Sequence, residues 1–485
     1  MANSIDNVTN SFEGLGNSNT ASGNEVPLNG SLNQTTLPYV TIIQRTRSTD
    51  LNLLNAQRIN SFLNNLESPG NINIPEIWHL RGNAAKLADA ARTLNNTVTR
   101  LNETLENSVI AHVTTLGSRS ASHNYANFPP QRLLTHFNNE IRRIVREVLS
   151  KPNNEDCFLW KVTEECYNQA TGMNGTLCAD EEEKESWIGF WVEALRQSPG
   201  GPTLFYSPAS IIVSPDPDFE EVPQYLFRTF DENSPGKNNS NVIASQASIL
   251  RPPEESRIDI LSLDKHTATK RLYSHLKSLS PGNHSDNLMS WTSSMLFTLQ
   301  HAIYTYDNFR LCAAADVKIC AVDTRRFPRG QFARDMWLMR TYRKTAKDIG
   351  GGTENFFRFR DEFEKYWNGE YLSQGVVNHL GRSSVVSLET LIQSGLYKLY
   401  PDLEKAKNKK LLAKRVAELR NDWGRDNKTT REELQHAFEI AKTFDGCAAL
   451  DIALILLTLK NRKYKSTMSE SESFAMLICF SIEVC

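Results

Sequence analysis

The chain has almost no net charge, and this absence excludes one broad class of function. Its 54 Lys and Arg residues nearly balance its 56 Asp and Glu residues, so the formal net charge is −2. A dedicated nucleic-acid-binding protein usually carries a strongly basic domain, and the charge balance argues against that class. Hydrophobic residues make up 40% of the chain and aromatic residues 9%, which is enough for a sizeable core.

The chain also lacks the patterns of a secretory signal and of a membrane span. A signal peptide begins with a basic region followed by an apolar one, whereas the first basic residue here is Arg45. The longest apolar run, residues 448–459, is shorter than the ~18 residues that a span needs, and it contains Asp451. We therefore expect a cytoplasmic protein without membrane association.

Short motifs for metals, phosphates and common nucleophiles are missing as well. No two of the eight cysteines are separated by just two residues, so a C-x-x-C zinc or redox pair is absent. The sequence contains no G-x-x-x-x-G-K-[ST], H-E-x-x-H or G-x-S-x-G. His301 and His379 have no second histidine at metal-ligand spacing, and we interpret both as structural. We expect free thiols and no metal site.

Changes in composition divide the chain into five parts, of which the third is predicted to contain both strands and helices. The first part is rich in Asn, Ser, Thr and Gly, and such a segment buries too little apolar surface to offset the entropy of ordering it. The predicted parts are a disordered tail (1–75), a helical region (76–200), an α/β domain (220–385), a C-terminal helical bundle (386–465) and a second tail (466–485).

Three amphipathic helices are predicted in the first helical region. One runs over 84–113, and its apolar stripe packs on its own chain or pairs with a partner helix; we favour the first. A second runs over 132–150, and a third follows an N-cap at Asp180. The first stripe consists of Leu87, Leu94, Val98, Leu101, Leu105 and Val109, and the third helix has Trp187, Phe190, Trp191, Ala194 and Leu195 on its apolar face.

Strands and further helices are predicted after a proline-rich junction at 202–223. Residues 225–228 form a short strand, 317–323 alternate like a second, and Ser293 caps a helix between them. Helices follow from about residue 388, with a capping box at Thr430-x-x-Glu433. A basic stretch at 405–415 is interpreted as a solvated face, with phosphate or RNA binding as the alternative.

Three polar elements in the α/β segment carry the candidate chemistry. Arg228 ends the first strand and forms either a surface ion pair or a bidentate phosphate contact. The hydroxyls of Ser290, Thr292 and Ser293 cap the next helix or contact a ligand. Glu370 follows Asn368-Gly369, and a lone glutamate is most often solvated. Tyr366 and Trp367 precede this last element.

The order of these elements resembles two families. The runs LFRTFD, SWTSSMLFTLQHAIY, CAVDTRRFPRGQF and GEYLSQGVV are similar to an uncharacterised family of fungal domains of unknown function, over about residues 220–460. More remotely, they resemble the Arg-Ser-Glu class of mono-ADP-ribosyltransferases. That class has an Arg on its first strand, Ser-Thr-Ser on the next, and Glu-x-Glu or Gln-x-Glu before another. This resemblance implies an α+β fold, with a small mixed or antiparallel sheet as an ADP-ribosyltransferase-like core that uses NAD as a substrate without a metal.

The resemblance carries over residue by residue, with two departures. Arg228 matches the Arg, Trp291-Thr292-Ser293 matches Ser-Thr-Ser, and Glu370 matches the catalytic Glu. Trp291 replaces the first Ser, for which Ser290 or Ser293 substitutes. Asn368 replaces the first Glu or Gln of the acceptor site, and Asn cannot act as a base. Transfer to arginine is thus disfavoured relative to hydrolysis, another acceptor or no activity.

The implied reaction is cleavage of the bond between nicotinamide and ribose. It passes through an oxocarbenium-like state, which a carboxylate such as Glu370 stabilises. Arg228 would hold the pyrophosphate or the adenylate ribose, Ser293 would orient strand and carboxylate, and Tyr366 or Trp367 would stack on a ring. The expected partners are NAD and either a protein acceptor or partner helices. The alternative is a non-catalytic interaction or scaffold protein with an inactive domain of this kind.

Overall fold

The structure is a computed structural model, and it describes most of the chain between residues 74 and 463. The described residues are 57, 59, 61, 74–118, 130–150, 158–172, 181–206, 222–277, 286–308, 313–364, 367–404, 412–424 and 427–463. Contacts divide the chain into two units, with the boundary between Glu103 and Thr104. Apart from residues 57, 59, 61, 74 and 75, both predicted tails lie outside the described residues.

Five helices form the N-terminal part of the described chain. The first crosses the boundary between the units, and the predicted helix at 132–150 is divided in two at Phe137. The predicted cap Asp180 lies outside the described residues. The helices are α1 (Ile74–Ser118), α2 (Pro130–His136), α3 (Asn138–Ser150), α4 (Phe158–Thr171) and α5 (Glu181–Gln197).

In the second unit, the end of α1 packs with α3, α4 and α5 around one apolar cluster. The cluster includes Val109, Val113 and the predicted apolar face of α5, which is confirmed. The prediction that the α1 stripe packs on its own chain is correct for Val109. It is wrong for four earlier members of the stripe, which are exposed: Leu94, Val98, Leu101 and Leu105.

Two antiparallel sheets form the centre of the second unit and confirm the prediction of an α+β fold with an antiparallel sheet. The larger sheet has the strand order β6–β7–β4–β1–β5–β9, and the smaller has the order β2–β3–β8. The strands are β1 (Tyr225–Phe230), β2 (Lys237–Asn238), β3 (Val242–Ala244), β4 (Leu288–Thr292), β5 (Lys318–Asp323), β6 (Ala333–Arg334), β7 (Glu370–Gln374), β8 (Val376–Asn378) and β9 (Ser383–Ser387).

Both faces of the larger sheet are buried, which explains why its strands are apolar at successive positions. On one face, Leu226, Trp291 and Val322 pack against Ile243 and Val377 of the smaller sheet. On the other face, β1 and β5 contribute to a cluster with helices from the C-terminal part of the chain. The strand predictions at 225–228 and 317–323 are confirmed, with bounds that differ by one or two residues.

Short helices connect these strands and cover the edge of the sheet formed by β6 and β7. Several pack around Leu272, Met336 and Tyr342, together with Leu288 of β4 and Leu372 of β7. Among the helices that connect the strands, α9 (Met295–Asn308) packs elsewhere, with β1, β5 and the C-terminal helices. The others are α6 (Gln246–Leu250), α7 (Pro253–Ser256), α8 (Lys265–Leu276), α10 (Asp335–Thr341), α11 (Arg343–Ile349) and α12 (Gly351–Glu362), with 3₁₀ turns at Ile260–Ser262 and Thr324–Arg326.

The C-terminal helices pack onto the larger sheet rather than around a separate core. Phe227 and Ile319 of the sheet share one cluster with Tyr400, Trp423 and Phe438. The capping box predicted at Thr430 and Glu433 is confirmed. The elements are α13 (Leu388–Gln393), α14 (Leu396–Leu399), α15 (Pro401–Glu404), α16 (Leu412–Trp423), α17 (Arg431–Lys442), α18 (Ala449–Leu457) and a parallel pair, β10 (Asn427–Lys428) and β11 (Arg462–Lys463). In the part of the chain that is described, no helix has both the length and the apolar character to span a bilayer.

Candidate functional site

The larger sheet opens between two neighbouring strands, β1 and β4. These strands pair at one position, Phe227 opposite Thr292. From there, β1 continues along β5 and β4 continues along β7. A cavity of about 670 Å³ is lined by residues 227–229 of β1 and 288–292 of β4. This volume lies within the range of about 300–1,000 Å³ that is usual for small-molecule sites.

Arg228 brings a positive charge to the wall of this cavity. Its Nη1 donates to the main-chain oxygen of Ser290 at 2.6 Å, and its Nε makes a long contact of 3.4 Å with Asn238 Oδ1. Both partners are uncharged, and among the described residues no carboxylate forms an ion pair with it. Burial lowers the pKa of Arg228 to about 10, which leaves the guanidinium cationic at neutral pH.

Glu370 lines the same cavity and belongs to a buried network of three charges. Arg360 Nη2 donates to Glu370 Oε2 at 2.7 Å and to Asp335 Oδ2 at 2.6 Å. Burial raises the pKa of Asp335 to about 6, an effect that Arg360 opposes and the nearby Glu370 carboxylate reinforces. A single guanidinium therefore holds the candidate catalytic carboxylate in place, and it comes from α12 rather than from the strands.

The hydroxyl residues of β4 hold the segment before Glu370. Thr292 Oγ1 donates to the main-chain oxygen of Asn368, and Ser293 N donates to the main-chain oxygen of Gly369 at 2.8 Å. Gly369 has a φ of +59°, and a Cβ at this position would collide with Ser293 Oγ. The sequence Asn-Gly-Glu thus fits a close approach between β4 and the start of β7.

Asn368 lines the cavity and is held from the C-terminal helices. Arg420 of α16 donates to the main-chain oxygen of Trp367 at 2.7 Å and contacts Asn368 Oδ1 at 3.3 Å. It also contacts Ser294 Oγ at 3.3 Å, and Ser294 Oγ accepts from Phe297 N at the start of α9. The helix cap is therefore Ser294, and the prediction that Ser293 caps this helix was wrong by one residue.

Of the two predicted stacking aromatics, the structure describes one, Trp367. Tyr366 lies outside the described residues. Trp367 is packed with the cluster around Met336, where its Nε1 donates to the main-chain oxygen of Arg360 at 2.7 Å, and it does not line the cavity. Three other aromatic residues line it: Phe227, Trp291 and Phe297. The Trp367 ring therefore packs beside α12.

Histidines are the residues on which sequence reasoning was least informative. His301 lines the cavity, where burial and then the charge of Arg228 lower its pKa to about 4, so it is neutral. His379 is fully buried, and its Nδ1 contacts Ser383 Oγ at 2.5 Å. His275, which had no recognisable motif, lines the cavity within hydrogen-bond distance of Ser290.

The structure thus brings together most of the residues that the sequence singled out. The predicted site residues that line the cavity are Arg228, Ser290, Thr292, Asn368 and Glu370, whereas Ser293 and Trp367 do not line it. Sequence reasoning missed Arg360, Asp335, His275, Asp286 and Arg420. Their spacing from the motifs along the chain follows no recognisable pattern, so no local signal in the sequence identifies them.

Comparison with known proteins gives one result. No curated protein and no solved structure matches the chain significantly. One family model matches a range that contains all strands of both sheets except β9. The range ends well before residue 460, the predicted end of the resemblance. Residues 221–378, about a third of the chain, match a family described as Domain of unknown function (DUF7587).

Proposed function

We propose that the chain binds NAD in the cavity between β1 and β4 and cleaves the bond between nicotinamide and ribose, by transfer or by hydrolysis. One observation carries the proposal. Arg228, a cation with uncharged partners, and Glu370, a carboxylate, line the same cavity from the two strands that flank β4. A ligand for this cavity needs an anionic group at one end and a centre that develops positive charge at the other.

The environment of Arg228 favours a phosphate-bearing ligand. A partly buried charge without a counter-ion is costly, and a bound anion removes that cost. The planar guanidinium suits phosphate oxygens, and its Nη1 is already oriented by the Ser290 carbonyl. The pyrophosphate of a dinucleotide supplies the missing negative charge.

The environment of Glu370 favours stabilisation of a cationic transition state. Its ion pair with Arg360 fixes one of its two oxygens. The other oxygen remains for the ribose of a ligand, where oxocarbenium character develops as nicotinamide leaves. Phe297, which is partly buried, lines the same cavity, and an apolar ring suits the planar nicotinamide.

The test is release of nicotinamide from NAD by the full-length chain. We expect Glu370→Gln to lower the rate by about 100-fold or more, because the neutral amide cannot stabilise the developing cation. Glu362→Gln is the matched control, since this glutamate is exposed on α12. Equal, background-level release by the wild type and Glu370→Gln would refute the proposal and favour the alternative, a non-catalytic interaction or scaffold protein.

A further inference from the structure

Three side chains in the cavity form a hydrogen-bonded chain that the proposed function does not use. His275 Nδ1 lies 3.0 Å from Asp286 Oδ1, and His275 Nε2 lies 3.1 Å from Ser290 Oγ. All three residues line the cavity. The His275 and Asp286 side chains are only 16% and 14% exposed, so water screens their interaction weakly.

Different elements supply the three groups and fix their orientation. His275 lies in the last turn of α8, Asp286 lies just before β4, and Ser290 lies within β4. Asp286 Oδ1 also accepts from Leu288 N at 3.0 Å, which anchors the carboxylate to the start of the strand. The carboxylate is therefore held in place on the Nδ1 side of the imidazole.

The hydrogen-bond roles follow from the carboxylate. A carboxylate oxygen can only accept, so the contact between His275 Nδ1 and Asp286 favours the tautomer with its proton on Nδ1. Its Nε2 is then an acceptor, and the Ser290 hydroxyl donates to it. This is the arrangement in which a histidine acts as a general base towards a serine and a carboxylate holds the productive tautomer.

Ser290 and Glu370 face the same ligand space. Thr292 lies directly opposite Glu370, and Ser290 lies opposite Leu372, two positions further along the same pair of strands. Because side chains alternate between faces, Ser290 and Glu370 lie on one face as diagonal neighbours, about 7–8 Å apart. That separation leaves room for a sugar ring between the hydroxyl and the carboxylate.

The charge next to Ser290 decides which reaction suits it. Acyl transfer develops negative charge on an oxygen and needs hydrogen-bond donors there. Within the pair of strands β4 and β7, the charged side chain on the face of Ser290 is the Glu370 carboxylate, which stabilises a cation and destabilises an oxyanion. The site therefore suits attack on a ribosyl cation better than attack on an ester or amide.

We propose that Ser290 is the nucleophile that captures the ADP-ribosyl group, with His275 as its general base and Asp286 as a positioning residue. This inference rests on the proposed cleavage of NAD. The bond between ribose C1′ and the nicotinamide nitrogen breaks, and its electron pair leaves with neutral nicotinamide. A bond forms between Ser290 Oγ and C1′, and the hydroxyl proton moves to His275 Nε2. The product is a chain that carries ADP-ribose on Ser290.

The experiment follows two products from the same reaction of full-length protein with NAD labelled in its adenine ring. Released nicotinamide reports cleavage, and peptide mass spectrometry that preserves the linkage reports ADP-ribose at Ser290. We expect the wild type to give both products. Ser290→Ala should abolish the modified peptide, and Asp286→Asn should slow its formation by about 100-fold or more, because the tautomer is no longer fixed.

His275→Gln separates proton transfer from a structural role. Glutamine keeps a hydrogen-bonding side chain at the end of α8 but cannot take up the proton, so we expect at least a 100-fold slower modification of Ser290. The controls are His266→Ala, exposed in the first turn of α8, and Ser240→Ala, exposed beside β3. Both should react like the wild type.

The outcomes distinguish this inference from the proposed function. Nicotinamide release without ADP-ribose on Ser290 would overturn the inference and leave NAD cleavage standing. Modification of Ser290 at an unchanged rate in His275→Gln would overturn the role of His275. Absence of nicotinamide release in the wild type would overturn both.

Discussion

Glu370 lies directly opposite Thr292 in the ladder between β4 and β7, and Thr292 in turn lies opposite Phe227 of β1. These paired residues form one row across β7, β4 and β1. The row sets the distance between Glu370 and β1, the strand that carries Arg228. Two strand spacings amount to about 10 Å. A ligand that reaches both charged groups is an extended molecule rather than a small anion.

The first prediction concerns the anion contact of Arg228. In a Glu370→Gln background, which prevents turnover, Arg228→Lys should weaken NAD binding by about tenfold or more. Lysine keeps the charge but loses the fork that binds phosphate oxygens while donating to the Ser290 carbonyl. Isothermal titration calorimetry gives the dissociation constant. Arg251→Lys, which changes an exposed arginine, is the control, and an unchanged constant for Arg228→Lys would remove this residue from the site.

The second prediction concerns the guanidinium that Asp335 and Glu370 share. Arg360→Gln leaves two neighbouring carboxylates without their cation and should lower the free energy of unfolding by about 2–3 kcal/mol. Adding Asp335→Asn should restore part of the loss, because it removes one of the stranded charges. Urea unfolding measures both variants. Arg358→Gln, exposed on the same helix, is the control, and a double variant as unstable as the single one would contradict this account.

The third prediction concerns the close approach at Gly369. Gly369→Ala should cost about 2–3 kcal/mol, because the new Cβ adds a clash with Ser293 to a backbone conformation that L-residues avoid. Gly381 also has a positive φ, but a Cβ there meets no atom within 4 Å. Gly381→Ala should therefore show the backbone cost alone, about 1 kcal/mol. Thermal unfolding compares them, and equal losses would show that the approach of Ser293 is not tight.

The fourth prediction concerns the pH dependence of stability. Asp259 is buried, accepts from Tyr206 N, Leu261 N and Gln374 Nε2, and has its pKa raised by burial to about 6. The folded state thus holds a proton between about pH 4 and pH 6 that the unfolded state has lost. The stabilisation is present at about pH 4 and is lost as the pH rises through 6.

Comparison with Asp259→Asn isolates that contribution. The difference in unfolding free energy between wild type and variant should fall by about 2 kcal/mol from pH 4 to pH 7, whatever the offset between the two proteins. Urea unfolding at a series of pH values measures it. A pH-independent difference would show that Asp259 does not retain its proton in the folded chain.

Local patterns predicted two of the elements that carry the site, β1 and the helix after β4. The strand at Tyr225 and the helix after β4 follow from runs of apolar residues and from polar residues at the turns, and these signals depend on neighbours in sequence. The motif around Glu370 was likewise recognisable from its own residues. Even so, the observed helix cap is Ser294, one residue after the predicted Ser293, because capping depends on where the first turn begins.

Contacts between distant segments decided the rest. Trp367 has an aromatic ring of the kind that stacks on ligands, but this ring packs beside α12, and Trp367 does not line the cavity. Arg420 reaches the Asn368 segment only because α16 packs near the larger sheet. Neither outcome follows from spacing along the chain.

By itself, the sequence determined that Arg228 lies on a strand of a domain with mixed helices and strands, because strand periodicity and turn residues are local properties. The strand positions of the β4 hydroxyls and of Glu370 were expected only from the family resemblance. Only the tertiary structure decided that β4 lies between the strands of Arg228 and Glu370, that Arg360 holds the carboxylate, and that His275 and Asp286 meet Ser290. Those relations depend on which strands pair and on which helix end packs beside them, and the free energy that selects them comes from burial of the whole core.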